Sequence, residues 1–341
     1  MEAAAIRRDR LALKRYLREG GSLGSLAKRP KSKAATAAFP CEPKAVFEKQ
    51  VAALAQRLSR LGVRHVVIGL SGGLDSALAL LVADAAFRRL GWPTEGIHVY
   101  TMPGFGTTRR TKGNADKLCE GLGLRLETIS IVASVRRHLA DIGHDGHTPD
   151  VTYENAQARM RTMILMDKAN MLGGIVLGTG DLSEIALGWS TYNGDHMSMF
   201  GVNAGVPKTV VRRVCSWWAT LNPGSAGTAL ADIVATPVSP ELVKGQVTEL
   251  KLGPYELHDY FIWNFIVNGL NRRELFAAAK KAFRGVYAEK LIRATLETFL
   301  YRLVSQAFKR NCAPDGIRVF SFDFSPTGWS IPSDLPPRIL F

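Results

Sequence analysis

Apolar and polar positions along this chain alternate between two periods. Short apolar, β-branched runs at residues 65–70, 96–102, 125–131 and 174–178 read as strands. Between and around them, residues 47–61, 77–90, 111–122 and about 152–172 carry apolar side chains at helical spacing. This alternation predicts an α/β fold, a doubly wound parallel sheet with flanking helices. From about residue 207 the pattern predicts a helical C-terminal part, followed after Ala313 by a Pro-rich, irregular tail. No internal repeat interrupts the progression. Ligands of open parallel sheets bind beyond the carboxyl ends of the strands. Residues 71–76, 103–110 and 179–184 all fall there.

Composition narrows this picture. The 341 residues are 46% hydrophobic, ample for a buried core in one large or two small domains. The net charge of +14 suggests nucleic acid until its distribution is considered. Residues 1–38 alone carry ten Lys/Arg against three Asp/Glu, half of the excess. The remainder is modest for a phosphate-binding protein, so nucleic acid is not an expected partner. Residues 1–40 read as a basic linker or docking extension, with a basic helix over 3–19, and residues 41–335 as the compact domain. Cys41, Cys119, Cys215 and Cys312 lie far apart without a CxxC pair. Neither a zinc ribbon nor a disulfide framework is indicated, and a reducing, cytoplasmic setting is expected. No apolar run is long enough to span a bilayer and no signal-peptide pattern opens the chain, so no membrane partner is expected.

Candidate chemistry concentrates at the strand ends. Ser71-Gly72-Gly73-Leu74-Asp75-Ser76 follows the first strand and opens a helix. Such a turn gathers backbone N–H groups around one point, glycine allows close approach, and serine hydroxyls add donors: an anion cradle. Asp75 would repel phosphate unless Mg²⁺ sits between them. No Gly-Lys-Ser/Thr follows, so this is not a Walker A loop, and the third glycine of a dinucleotide fingerprint is missing. At the end of the fourth strand, Asp181 and Glu184 stand three apart at a helix start. They read equally as Mg²⁺ ligands beside Asp75 and as acidic residues stabilising a helix dipole. Residues 153–161 put Asn155, Arg159 and Arg161 on an otherwise apolar helix, either a ligand contact or a solvated stripe. Residues 189–195 and 203–209 are Gly-rich and dense in amides and aromatics, a plausible nucleotide pocket. Lys208 there reads as a pyrophosphate counter-ion or as a surface lysine.

Residues 71–76 resemble the SGGxDS pyrophosphate loop of the N-type ATP pyrophosphatases. Together with MPGFGTTRRTKGN at 102–114, residues 153–161, 178–208, GPYELHD at 253–259 and FKRNCAPDG at 308–316, the chain resembles the synthetase domain of glutamine-dependent NAD⁺ synthetases from Phe39 to Leu335. That resemblance implies an adenine nucleotide α-hydrolase-like fold and an ATP-dependent ligase. Its reaction adenylates the nicotinate carboxylate of deamido-NAD⁺, releases pyrophosphate, and amidates with ammonia to give NAD⁺ and AMP. It implies that Gly69, Ser71, Gly72, Gly73, Asp75, Ser76, Thr179 and Lys208 bind ATP, and that Asp75 and Glu184 hold Mg²⁺. Asp75, Lys208 and Lys309 would be catalytic, and Asn155, Arg159, Asp195, Asn203 and Lys309 would bind deamido-NAD⁺. A homodimer or higher homo-oligomer follows from the same resemblance. Two departures stand out. Relatives carry Thr-Glu-Asp before GPYEL, where this chain has Thr248-Glu249-Leu250. A nitrilase-like glutaminase half with its Glu-Lys-Cys triad cannot be encoded by residues 1–40, so ammonia is the expected direct nitrogen donor, and free ammonia and delivery by a glutaminase partner both stay open as its source. The competing readings are another adenylating ligase of the superfamily, tRNA-modifying or GMP-synthetase-like, and a non-catalytic nucleotide-binding subunit.

Overall fold

The computed structural model describes residues 39–107, 109–236, 242 and 248–341, with the backbone alone for 109–112. The extension expected over residues 1–38 lies outside the described residues. In chain order the elements are α1 Pro43–Leu61, β1 Val66–Gly69, α2 Leu74–Leu90, β2 Ile97–Thr101, α3 Arg109–Leu122, β3 Leu126–Thr128, α4 Val132–Asp141, α5 Val151–Leu172 and β4 Ile175–Gly178. There follow α6 Leu182–Leu187, β5 Phe200–Gly201, α7 Lys208–Leu221, α8 Ser225–Ala235, α9 Thr248–Leu252, α10 Tyr255–Ile266, α11 Arg272–Ala282, α12 Glu289–Ser305 and α13 Ala307–Arg310. All strand pairs are parallel, in the order β3-β2-β1-β4-β5. The expected doubly wound sheet is present, and its topological switch falls between β1 and β4.

The strands read as apolar throughout because both faces are covered. Val66, Ile68, Ile97 and Val99 pack on one side with Leu54, Leu78 and Val211 of α1, α2 and α7. Val67, Tyr100 and Val176 face the other side, against Val135 and Leu139 of α4 and Ala156 and Ala169 of α5. Val66, Val67 and Ile68 are fully buried, each burial stabilising by about 1.5–3 kcal/mol. The compact body includes Phe39, whose ring centroid lies 5.0 Å from Trp263 and 4.9 Å from Phe320.

Three expectations needed correction. The strand expected over 125–131 shrinks to Leu126–Thr128; beyond it the backbone still donates from Ile129 to Thr101 O and from Ile131 to Pro103 O. Helix α4 was not foreseen, because only Val135 and Leu139 of its ten residues are buried, too few to reveal a period. Strand β5, two residues long, carries no readable pattern; it is held by pairing to β4 at Leu177↔Phe200 and Gly178↔Gly201. Among the described residues no helix is long and apolar enough to cross a membrane.

Candidate active site

The first turn at the switch leaves β1 and enters α2 through Gly72, whose φ of 82° only glycine adopts without strain. Ser71 Oγ accepts from Gly73 N at 3.1 Å and lies 3.1 Å from Ser76 Oγ, which itself donates to Gly73 O at 3.1 Å. The serines thus lock the turn. Gly73 is the N-cap of α2, and no side chain bonds the first amides of the helix. Of the four orphan donors of this helix start, Gly73 N is taken by Ser71 Oγ, and among the described residues the Leu74, Asp75 and Ser76 amides are left open to an anion. Gly69 ends β1; a Cβ there would sit 3.0 Å from Leu165 Cδ1, so the glycine keeps α5 close to the sheet.

The second turn leaves β4 and enters α6. Asp181 caps it, accepting at Oδ1 from Ser183 N at 2.8 Å and Glu184 N at 2.9 Å. Its other oxygen, Oδ2, lies 2.6 Å from Lys208 Nζ. Lys208, first residue of α7, also donates to Asp75 Oδ2 at 2.6 Å and Glu184 Oε1 at 2.9 Å. One carboxylate oxygen from each of Asp75, Asp181 and Glu184 lies within 4.8 Å of the other two. Burial lifts the Glu184 pKa to about 7 and that of Asp181 above the carboxylate range, opposed in both by Lys208. Burial alone would lower the Lys208 pKa, but attraction to Asp181, Asp75 and Glu184 outweighs it and keeps the ammonium protonated. Three carboxyl groups share one ammonium, and their mutual repulsion adds to burial in raising the Asp181 and Glu184 values. Asp75 Oδ1 is buried without a hydrogen-bond partner among the described residues. An all-oxygen donor set with an orphaned oxygen suits a hard divalent cation such as Mg²⁺.

A supporting layer fixes this geometry. Asp259 on α10 accepts from Ser183 Oγ, from Thr209 N at 2.9 Å and from Thr209 Oγ1 at 2.6 Å, while Lys208 N donates to Ser183 Oγ at 2.9 Å. The N-terminus of α7 is thereby pinned to that of α6. The Tyr255 ring lies 5.3 Å from Lys208 Nζ.

A second group forms around residues 188–196. Asn155 Oδ1 accepts from Thr191 Oγ1 at 2.8 Å, Arg159 Nε donates to Tyr192 O at 3.2 Å, and Asp195 Oδ1 accepts from Thr191 N at 2.8 Å. Lys309 Nζ donates to Gly188 O at 2.9 Å and Ser190 O at 2.6 Å. The sequence-selected residues therefore fall into two constellations, the Asp75–Lys208 cluster and this loop.

The remaining candidates are placed as follows. Asn203 is fully buried, donates to Asp75 O at 2.8 Å and Thr179 O at 3.0 Å, and accepts from Gln50 at 3.0 Å. It ties the two turns together, and its burial follows from the hidden strand β5 just before it. Lys208 is not a surface lysine at 2% exposure, and its charge is matched by carboxylates. Lys309 is engaged by two carbonyls. The Thr248-Glu249-Leu250 departure lies outside the cluster: Glu249 Oε1 accepts from Tyr255 N at 3.0 Å and Leu250 is 85% exposed. Asp259 is the residue for which sequence reasoning gave no role, although it ends the GPYELHD segment; Asp181 was read as a possible Mg²⁺ ligand at a helix start but was not among the metal ligands the resemblance implies.

Residues 46–295 match the NAD synthase family. The glutamine-dependent NAD(+) synthetase of Mycobacterium tuberculosis is 40% identical over 326 residues, covering 86% of this chain and 48% of that protein. That of Thermotoga maritima is 30% identical over 296 residues, with coverage of 86% and 48%. The chain thus spans about half the length of the curated relatives it matches. Among solved structures, a glutamine-dependent NAD(+) synthetase from Cytophaga hutchinsonii shares the fold at a TM-score of 0.70 and 18% identity, covering 86% of this chain and 55% of that one. The NMN synthetase from Francisella tularensis superposes at 0.56 with 26% identity, covering 72% and 94%. With the family matched over residues 46–295 and relatives 40% identical across 86% of its length, this chain belongs to the NAD synthase family.

Proposed function

We propose that the chain is an ATP-dependent ligase that makes NAD⁺ from deamido-NAD⁺ and ammonia. The observation that carries this reading is the pairing, at one switch point, of an uncapped Gly-rich helix start with three carboxylates around a buried ammonium. A carboxylate is a poor electrophile, and transfer of AMP to it creates a good leaving group. The protein's work is positioning and charge neutralisation. The free amides of α2 with Ser71 and Ser76 hold the ATP phosphates. Asp75 and Glu184, joined by Asp181, would hold Mg²⁺, which when bound offsets phosphate charge as a Lewis acid. Lys208 supplies positive charge to the departing pyrophosphate. Asn155, Arg159, Asp195 and Lys309 seat the dinucleotide along the 188–196 loop, and Asn203 supports the site from behind rather than touching substrate. Ammonia attacks the carbonyl of the adenylate, AMP departs with the bonding electrons, and the nitrogen gives up one proton to solvent to leave the neutral amide. Residues 41–335 form the catalytic unit, which works as a homo-oligomer, and a glutaminase partner delivers the ammonia.

Turnover of deamido-NAD⁺ with Mg-ATP tests this, with NH₄⁺ and glutamine compared as nitrogen donors and products followed by phosphorus NMR. AMP and pyrophosphate are expected, with ammonia sufficing for the chain alone. ADP and phosphate would place it in another reaction class, and glutamine use by the purified chain would reveal an amidase. A parallel arm with nicotinic acid mononucleotide distinguishes the activity named for the Francisella relative. Removing residues 1–38 should leave ammonia-dependent turnover intact.

A further inference from the structure

Helix α6 carries Asp181 as its cap and Glu184 in its first turn, yet it is six residues long, too short to hold its own orientation. Its C-terminal carbonyls can be followed one by one. Glu184 O accepts from Trp189 N at 2.9 Å and Ile185 O from Gly188 N at 3.2 Å. Ala186 O accepts from Arg310 Nη1 at 2.8 Å, and Leu187 O from Arg302 Nε at 2.9 Å. Gly188 O accepts from Arg302 Nη2 at 3.2 Å and from Lys309 Nζ at 2.9 Å. Every orphan carbonyl after the first turn that helix geometry leaves is thus met, three of them by cations from α12 and α13.

Arg302 and Arg310 are unusual donors. Arg310 is 3% exposed, and burial drags its pKa down to about 9. Burial also lowers that of Arg302. Neither meets a carboxylate within ion-pair distance among the described residues, although a buried, unpaired cation is costly. Arg310 spends its guanidinium on Ala186 O and Leu303 O beside the Phe324 ring, and Arg302 lies over the Trp189 ring at 5.0 Å. Close packing reinforces the grip, since a Cβ at Gly188 would sit 2.4 Å from Gln306 Cβ. The path from Arg302 to the cluster is short: guanidinium to Leu187 and Gly188 carbonyls and the Trp189 ring, Trp189 amide to Glu184 carbonyl, Glu184 carboxylate to Lys208.

We propose that Arg302 and Arg310 are positioning residues that clamp the C-terminal end of α6 and so set where Glu184 and Asp181 stand. The catalytic consequence rests on the ligase reading above; the mechanical one does not. In the full chain, Arg302→Met keeps bulk and removes the donors. Hydrogen exchange at amides 183–189 should then accelerate about tenfold or more while β1 amides keep their protection, as expected of a local opening. Ammonia-dependent kcat should fall about tenfold or more with KM for ATP within roughly threefold, the signature of lost transition-state alignment. Arg302→Lys should recover most of both losses, and Arg310→Met should reproduce them. Unchanged exchange over 183–189 would overturn the proposal. So would equal acceleration in β1, a failure of lysine to rescue, or an Arg302→Met chain that does not fold, since each assigns the arginine to general stability or to nothing. If the wild-type chain fails to turn over deamido-NAD⁺, the ligase reading falls while the exchange arm still decides the clamp.

Discussion

After β1 the chain turns through Gly72 into α2, whose N-cap is Gly73 and whose first amides no side chain takes. After β4 it turns through Gly180 into α6, where Asp181 takes the Ser183 and Glu184 amides. Both are strand-to-helix turns at the carboxyl end of the sheet, joined by the Asn203 amide, which bonds Asp75 O in one and Thr179 O in the other. One leaves its backbone donors for an outside anion. The other consumes its donors internally and presents carboxylates to a cation. What separates them is a single choice at the cap, glycine or aspartate, and Lys208 spans the gap by bonding Asp75 on one side and Glu184 on the other. A turn's topology says that something binds; its capping chemistry says which sign of charge.

The sharpest way to break this pairing is at Asp75, the one carboxylate on the anion-receiving side. Asp75→Asn should lower pyrophosphate release by about 10³-fold or more, because a several-kcal/mol electrostatic contribution is lost at roughly 1.4 kcal/mol per tenfold. The melting temperature should change little. Near-normal pyrophosphate release from a folded variant would sink the assignment.

Lys208 tests the bridge. Lys208→Met leaves three close carboxylates without their ammonium, and breaking a buried pair from one side costs about 3–5 kcal/mol. Urea unfolding should show that loss, and millimolar Mg²⁺ should restore more stability to the variant than to the wild type. An unchanged midpoint would mean the ammonium is not the cluster's counter-ion.

The two turns were not equally legible. The first announced its chemistry in six consecutive residues, because an ordinary strand-to-helix turn does not need two glycines, two serines and an aspartate together. The second left Asp181 and Glu184 suspended between dipole and metal, and the geometry shows why: Asp181 caps with one oxygen and meets Lys208 with the other. The alternation of strands and helices predicted the sheet, since period and length survive in local sequence. What depends on distant contacts did not show. Asp259 reaches the cluster across 76 residues to Ser183, the arginines of α12 and α13 across more than 110 to α6, and Asn203 looked like a polar loop residue until β5 buried it.

Behind the second turn a buried imidazole gives the protein a pH signature. His258 on α10, next to Asp259, is fully buried; its Nε2 meets Leu252 O at 2.9 Å and its Nδ1 has no partner among the described residues. Burial depresses its pKa to about 4. A base with a depressed folded pKa is fully accommodated above its unfolded value near 6.5, and that stability drains away as pH falls toward 4. Over this window the linkage amounts to roughly 3 kcal/mol. The difference in unfolding free energy between His258→Leu and wild type, followed from pH 7 to 4, should shift in the variant's favour by that order. Asp259, whose pKa burial raises to about 6, titrates in both chains and cancels in the difference. A pH-independent difference would show that His258 is not the titrating group.

The smallest effect compares the turns glycine for glycine. Gly72 sits at φ 82°, where an L side chain costs about 1–2 kcal/mol, and the strain falls on the segment that aims the α2 amides. Gly180 has no left-handed φ, and a Cβ there would meet nothing within 4 Å. Gly72→Ala should therefore lose about 1–2 kcal/mol of stability and weaken ATP binding. Gly180→Ala should stay within about 0.5 kcal/mol of wild type, or gain slightly as the unfolded chain loses freedom. Paired thermal melts with ATP titrations on the two variants decide it. If both alanines behave alike, the turns differ less than their caps suggest, and the left-handed Gly72 is not what holds the first turn open to an anion.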